Sequence, residues 1–177
     1  MMRGAAGALA LLALSGCAMM GGGAGQAYRT VALRDAAGRN VGTALLRPGT
    51  EGVQVALSIN GLPAGTHGVH LHETGRCDGP DFTSAGGHFN PATKQHGAEN
   101  PTGPHAGDLP NLVVDANQQG FLTGVAGGTV LAGKRANSLR RARGTALVVH
   151  AAADDLKTDP SGNSGARIAC GVITPED

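Results

Sequence analysis

The apolar positions of this chain come in short runs, mostly alternating with polar residues, and turn signals separate the runs. Tyr28 to Arg34, Val41 to Arg47 and Val53 to Ile59 are separated or followed by Asp35-Ala36-Ala37-Gly38, Pro48-Gly49 and Asn60-Gly61. Alternation over such lengths marks half-buried strands, and Gly, Pro, Asn and Asp supply the backbone angles of tight turns. His67 to His72 makes a fourth strand segment. Four more occupy Leu112 to Asp115, Phe121 to Ala126, Thr145 to His150 and Arg167 to Ile173. A short strand near Gly128 to Leu131 or Leu139 to Arg141, and a helical turn within Ala136 to Arg143, are weaker readings. Gly144 and the β-branched pair Val148-Val149 oppose a longer helix there. About eight strands with glycine-rich turns predict an all-β antiparallel sandwich or barrel, in one domain without internal repeats.

Between Glu73 and Pro110 the pattern stops, and a structureless stretch of that length inside a compact domain is usually functional. It holds His88, His96 and His105, three of the seven histidines. The strand before it, in Gly68-Val-His-Leu-His-Glu-Thr-Gly75, carries His70 and His72. Side chains two apart on a strand share a face, so these imidazoles project together while Val69 and Leu71 point the other way. Alone, the pair fits hydrogen-bonded histidines as well as metal ligands. His88 in GGHFNP, His96 in KQHG, His105 and Asp108 in PHAGD, and His150 in LVVH bring the candidates to seven, enough for two sites. Neutral imidazole suits zinc and copper, and an added carboxylate suits zinc. A loop so dense in ligands would be ordered by its metal. His67, three residues before His70, falls on the opposite strand face and is expected to make structural hydrogen bonds.

Composition narrows the class. Thirty glycines, no tryptophan and 2% aromatic residues suit tight turns better than long helices, and a net charge of +1 gives no reason for a nucleic-acid partner. Residues 1–16 read as a secretory signal: Arg3, an apolar run from Ala5 to Leu14, then small residues. The ending Leu14-Ser15-Gly16-Cys17 resembles the bacterial lipoprotein signal, in which cleavage precedes a cysteine that receives lipid. A chance cysteine after an ordinary cleavage site is the alternative. On this reading residues 17–27 form a lipidated, glycine-rich tether and residues 28–177 the folded domain. Cys77 and Cys170 are then an even pair in an exported protein, which reads as one disulfide, with two buried free thiols as the alternative.

From about Tyr28 to Ile173, the motifs GVHLHETG, SAGGHFNP, HAGDLPN, ALVVHAAADD and GNSGARIACGV resemble those of the copper-zinc superoxide dismutases in their exported bacterial form. The resemblance implies an eight-stranded, immunoglobulin-like Greek-key barrel or sandwich with long metal-binding and electrostatic loops. It makes His70, His72, His88 and His150 the copper ligands, and His88, His96, His105 and Asp108 the zinc ligands, with His88 as bridge. Asp154, in preference to Asp155, matches the carboxylate that links the two sides. Arg167 would guide the superoxide anion, and His88 would leave reduced copper and carry a proton. Arg167 and His88 are thus the catalytic pair. The implied reaction is dismutation of superoxide to dioxygen and hydrogen peroxide by alternating copper(II) and copper(I), an antioxidant defence. Residues 155–163 hold only Lys157 as a base, which leaves Arg167 as the guiding charge, and the rate is expected to fall with added salt; a flat rate would exclude substantial steering.

The place implied is the periplasmic side of the cell envelope, anchored at Cys17. Ala18, where aspartate would favour the inner membrane, points to the outer one. The family is compatible with a monomer or a homodimer. Two rivals remain: a copper-binding or copper-delivery lipoprotein of the same fold, and an immunoglobulin-like structural lipoprotein that binds no metal tightly. The first would not need Arg167.

Overall fold

The computed structural model describes Met1 and residues 28–175. The expected signal segment, Cys17 and the tether lie outside the described residues, apart from Met1. Among the described residues nine strands form: β1 (Arg29–Asp35), β2 (Asn40–Pro48), β3 (Gly52–Asn60), β4 (Gly65–His67), β5 (Val69–His72), β6 (Leu112–Val114), β7 (Gln119–Gly127), β8 (Thr145–His150) and β9 (Arg167–Ile173). They make one antiparallel sheet in the order β4-β6-β7-β3-β2-β1-β9-β8-β5.

The ninth strand arises because the expected fourth segment is cut at Gly68. Its carbonyl accepts from His150 N–H (2.9 Å), in step with the pairing of Val69 and Val149 beside it, but its N–H donates to the Ala152 carbonyl (2.8 Å) instead of back to His150, so the ladder breaks off at this peptide. A Cβ at Gly68 would lie 2.6 Å from Ser164 Oγ, so only glycine permits this approach. β4 then pairs with β6 and β5 with β8, at opposite edges of the sheet. Two edges joined by a single residue require the sheet to curl into a nearly closed barrel.

β1 alternates buried and exposed positions as a strand with one wet face should, whereas all six residues of β8 are buried. Leu71, Leu147 and Val149 enter the main core with Leu33, Leu46 and Leu57. Ala146 and Val148, on the other face of β8, pack with Phe82, Ala85 and Cys170 beneath the long loop. That outer face, roofed by loop, is where the site forms. Residues 128–143 make turns with one isolated bridge, Val130 to Ser138, in place of the weaker strand and helical readings. The 3-10 turn Thr83–Ala85 is the sole helical element among the described residues.

Candidate metal centre

The free edge of β5 gathers the loop. Leu71 N–H donates to Gly107 O (2.8 Å), Phe89 N–H to Leu71 O (2.8 Å), Glu73 N–H to Gly87 O (2.9 Å) and Leu109 N–H to Val69 O (3.2 Å). These bonds set His88 opposite His72 and Asp108 opposite His70. The pairing of β5 with β8 sets His70 beside Val148, so His150 lies just beyond the end of that ladder and on the same outer face. The long loop therefore delivers His88 and Asp108 by ordinary backbone pairing, and the buried apolar face of β5 holds the platform still.

Hydrogen bonds then fix which ring nitrogens are free. His72 donates from Nδ1 to Gly86 O (2.9 Å) and His150 from Nδ1 to Gly165 O (3.2 Å), which leaves both Nε2 lone pairs facing each other at 3.4 Å. His70 donates from Nε2 to Asp154 Oδ2 (2.8 Å), leaving Nδ1 without a partner, and His88 Nε2 has none either. Four nitrogens on His70, His72, His88 and His150 thus lie within 4.8 Å of one another. Burial holds His72 at a pKa of about 2, His88 at about 4 and His150 at about 3, helped by repulsion among the rings. All three are neutral near pH 7, and converging imidazole lone pairs with no proton between them suit a soft or borderline cation.

A second cluster centres on Asp108 Oδ1. His88 Nδ1 lies 3.0 Å away, His96 Nδ1 3.1 Å and His105 Nδ1 3.2 Å, and the His105 and His88 Nδ1 atoms are 3.4 Å apart. Tetrahedral zinc with bonds of about 2.0–2.1 Å places its ligand atoms about 3.3 Å from one another, so these four distances are close to edges of such a tetrahedron. His70 also lies within 4.8 Å of His88, His96 and Asp108, but its Nε2 is committed to Asp154 and its Nδ1 joins the first cluster. His105 is therefore the better fourth member. Burial pushes Asp108 upward, yet hydrogen bonds from His105, His88 and His96 outweigh it and hold the carboxyl far below its usual range. Burial likewise pushes His96 down, but Asp108 and Asp154 prevail and hold it at about 9.

Asp154, fully buried in its side chain, joins the two clusters: Oδ2 meets His70 Nε2 and Oδ1 meets His96 Nε2 at 2.9 Å. Asn111 clasps its backbone in both directions, accepting from Asp154 N–H and donating to Asp154 O, each at 2.8 Å. Gly162, at φ +62°, packs over the pair; a Cβ there would lie 1.8 Å from Asp154 Oδ1. Asp155 faces away and caps its own turn through Lys157 and Thr158 N–H. His67 bonds the carbonyls of His150 (2.7 Å) and Pro63 (2.9 Å), outside both clusters.

Arg167 spans two carbonyls, Phe82 O (2.6 Å) and Gly86 O (2.7 Å), the second shared with His72 Nδ1. It lines a surface depression with Pro80, Asp81, Thr83, Gly165 and Ala166. A disulfide between Cys77 and Cys170, with Cα atoms 5.7 Å apart, ties the loop carrying Phe82 to β9, which carries Arg167. Sequence reasoning missed Asn111, Gly86 and Gly162. Asn111 stood within the HAGDLPN motif, but nothing local to it indicated a partner forty-three residues away.

A family model described as copper/zinc superoxide dismutase matches residues 40–173. A Cu-Zn superoxide dismutase of Aquifex aeolicus is 46% identical over 137 residues, covering 77% of this chain and 81% of that protein. One from Deinococcus radiodurans is 38% identical, covering 92% and 90%. The crystal structure of a superoxide dismutase-like protein from Bacillus subtilis superposes with a TM-score of 0.78 at 43% identity, covering 83% of this chain and 99% of that one.

Proposed function

Because the chain belongs to the copper/zinc superoxide dismutase family, its activity is the dismutation of superoxide with copper and zinc as cofactors, and we propose which side chains carry it. Copper is held by His70, His72, His88 and His150; zinc by His88, His96, His105 and Asp108. The observation that carries this assignment is the tautomer pattern: each copper-side ring except the bridge has its other nitrogen engaged by Asp154, Gly86 or Gly165. When bound, copper supplies reversible one-electron redox and zinc a fixed positive charge without redox chemistry of its own.

The chain's own residues do the rest. Arg167 carries a permanent charge at the mouth of the depression, where it attracts and orients a small anion, and its two carbonyl partners keep the fork from swinging. His88 has one nitrogen in each cluster, so Nε2 is the atom at which a proton can be held and passed to a departing peroxide. The buried Asp154 keeps His70 and His96 in fixed orientation. Two superoxide anions and two protons thereby give dioxygen and hydrogen peroxide.

Residues 1–16 are proposed to direct export, and Cys17 to carry the lipid that anchors residues 28–177 on the periplasmic side of the envelope. The experiment for the site is metal analysis of the protein and of His72→Ala and His105→Ala. The first variant should lose copper and keep zinc, the second the reverse; loss of neither metal refutes the assignment. For the anchor, labelled palmitate should enter the wild type but not Cys17→Ser.

A further inference from the structure

We propose that Asp159 is a positioning residue for the zinc-side histidines, an inference that rests on the zinc assignment above. A histidine that binds metal through one ring nitrogen is oriented by what its other N–H meets, most often a carboxylate or a carbonyl. For His96 that partner is Asp154 Oδ1. His105 turns Nδ1 toward Asp108 and His88, and its Nε2 faces Asp159 Oδ1 at 3.9 Å. The same oxygen accepts the backbone N–H of His96 at 2.7 Å. A single carboxylate oxygen thus acts on two of the four zinc-side residues, on His96 by a direct bond and on His105 as a charge, since 3.9 Å exceeds a hydrogen bond.

Asp159 is well placed to keep that position although half of its side chain is exposed. Its loop is pinned to the zinc-side loop by Glu99 N–H on Leu156 O (2.9 Å) and the Asn100 amide on Lys157 O (3.3 Å). The turn before it is held by Asp155, whose carboxylate accepts from Thr158 N–H (2.8 Å) and the Asn163 amide (2.9 Å). An ordinary surface aspartate would need none of this frame. Among the described residues, Asp159 makes no hydrogen bond or ion pair to His70, His72, His88 or His150, so its effect is expected on zinc and not on copper.

The test is the rate of zinc release to a chromogenic chelator from the full-length, copper- and zinc-loaded protein, in the wild type, Asp159→Ala and Asp159→Asn. Asp159→Ala should release zinc about 10-fold faster, the lower end of what loss of such a supporting group costs. Asp159→Asn keeps an acceptor for His96 N–H but no charge toward His105, and should fall between the two. The copper content and copper absorption spectrum should not change. Equal zinc release from all three proteins, with wild type holding one zinc per chain, overturns the proposal. Copper and zinc released faster in equal measure also overturns it, because that reports a loosened fold. A wild type that retains no zinc brings down the zinc assignment, and this inference with it.

Discussion

At the scale of single residues, His70, His72, His96 and His150 each have one ring nitrogen committed to a carboxylate or carbonyl and the other turned into a cluster. Asp154 exerts the widest control, because it orients one ring on each side. Asp154→Asn should therefore weaken copper and zinc together, by about 10- to 100-fold each, measured by competition with chelators of known affinity. A loss confined to one metal contradicts the linking role. Arg167 illustrates geometry over charge: Arg167→Lys keeps the charge but cannot span Phe82 O and Gly86 O. Removal of the charge in Arg167→Ala should lower the rate by about 10-fold or more, and Arg167→Lys should restore only part of it. Full recovery in the lysine variant would show that charge alone suffices. That these histidines would gather in clusters was legible in the sequence because imidazoles are chemically specific and fall in short motifs. Asn111 and Asp159 were not, because each acts on a backbone atom of a segment distant in sequence.

At the scale of elements, the alternating strands were legible because one wet face leaves a period-two pattern. The cut at Gly68 was not, since it depends on the Gly68 N–H meeting the Ala152 carbonyl, in a segment distant in sequence that follows the paired strand β8. The long loop looked patternless for a related reason: its order comes from the free edge of β5 and from a disulfide, neither of which leaves a local period. The disulfide has two effects that can be separated. Closing 93 residues of sequence, it should contribute about 2–4 kcal/mol to stability. It also fixes the loop whose carbonyls orient Arg167. In Cys77→Ser/Cys170→Ser the urea midpoint should fall, and the rate per bound copper should fall toward that of Arg167→Ala. An unchanged rate per copper would restrict the disulfide to stability.

At the scale of the whole molecule, the buried histidines make stability depend on pH in a definite direction. His72, His88 and His150 are held far below the ordinary 6.5, so the folded chain resists protons that the unfolded chain accepts. Their contribution is complete above pH 6.5 and is lost as the pH falls through that value toward about 4 and below. His96, held at about 9, runs the other way: its contribution is complete below 6.5 and lost as the pH rises through 9. With three groups against one, the protein freed of metals should lose stability more steeply on the acid side, by about 1.4 kcal/mol per pH unit for each titrating histidine. Urea midpoints between pH 8 and pH 4 check this, and a flat acid limb contradicts it. The central claim is that four converging nitrogens make this barrel a copper-dependent enzyme. It is tested most directly by the rate of superoxide loss per bound copper, in the loaded protein and in His70→Ala. The account predicts fast, copper-dependent dismutation that His70→Ala abolishes. Stoichiometric copper without dismutation, or full activity in His70→Ala, would contradict it.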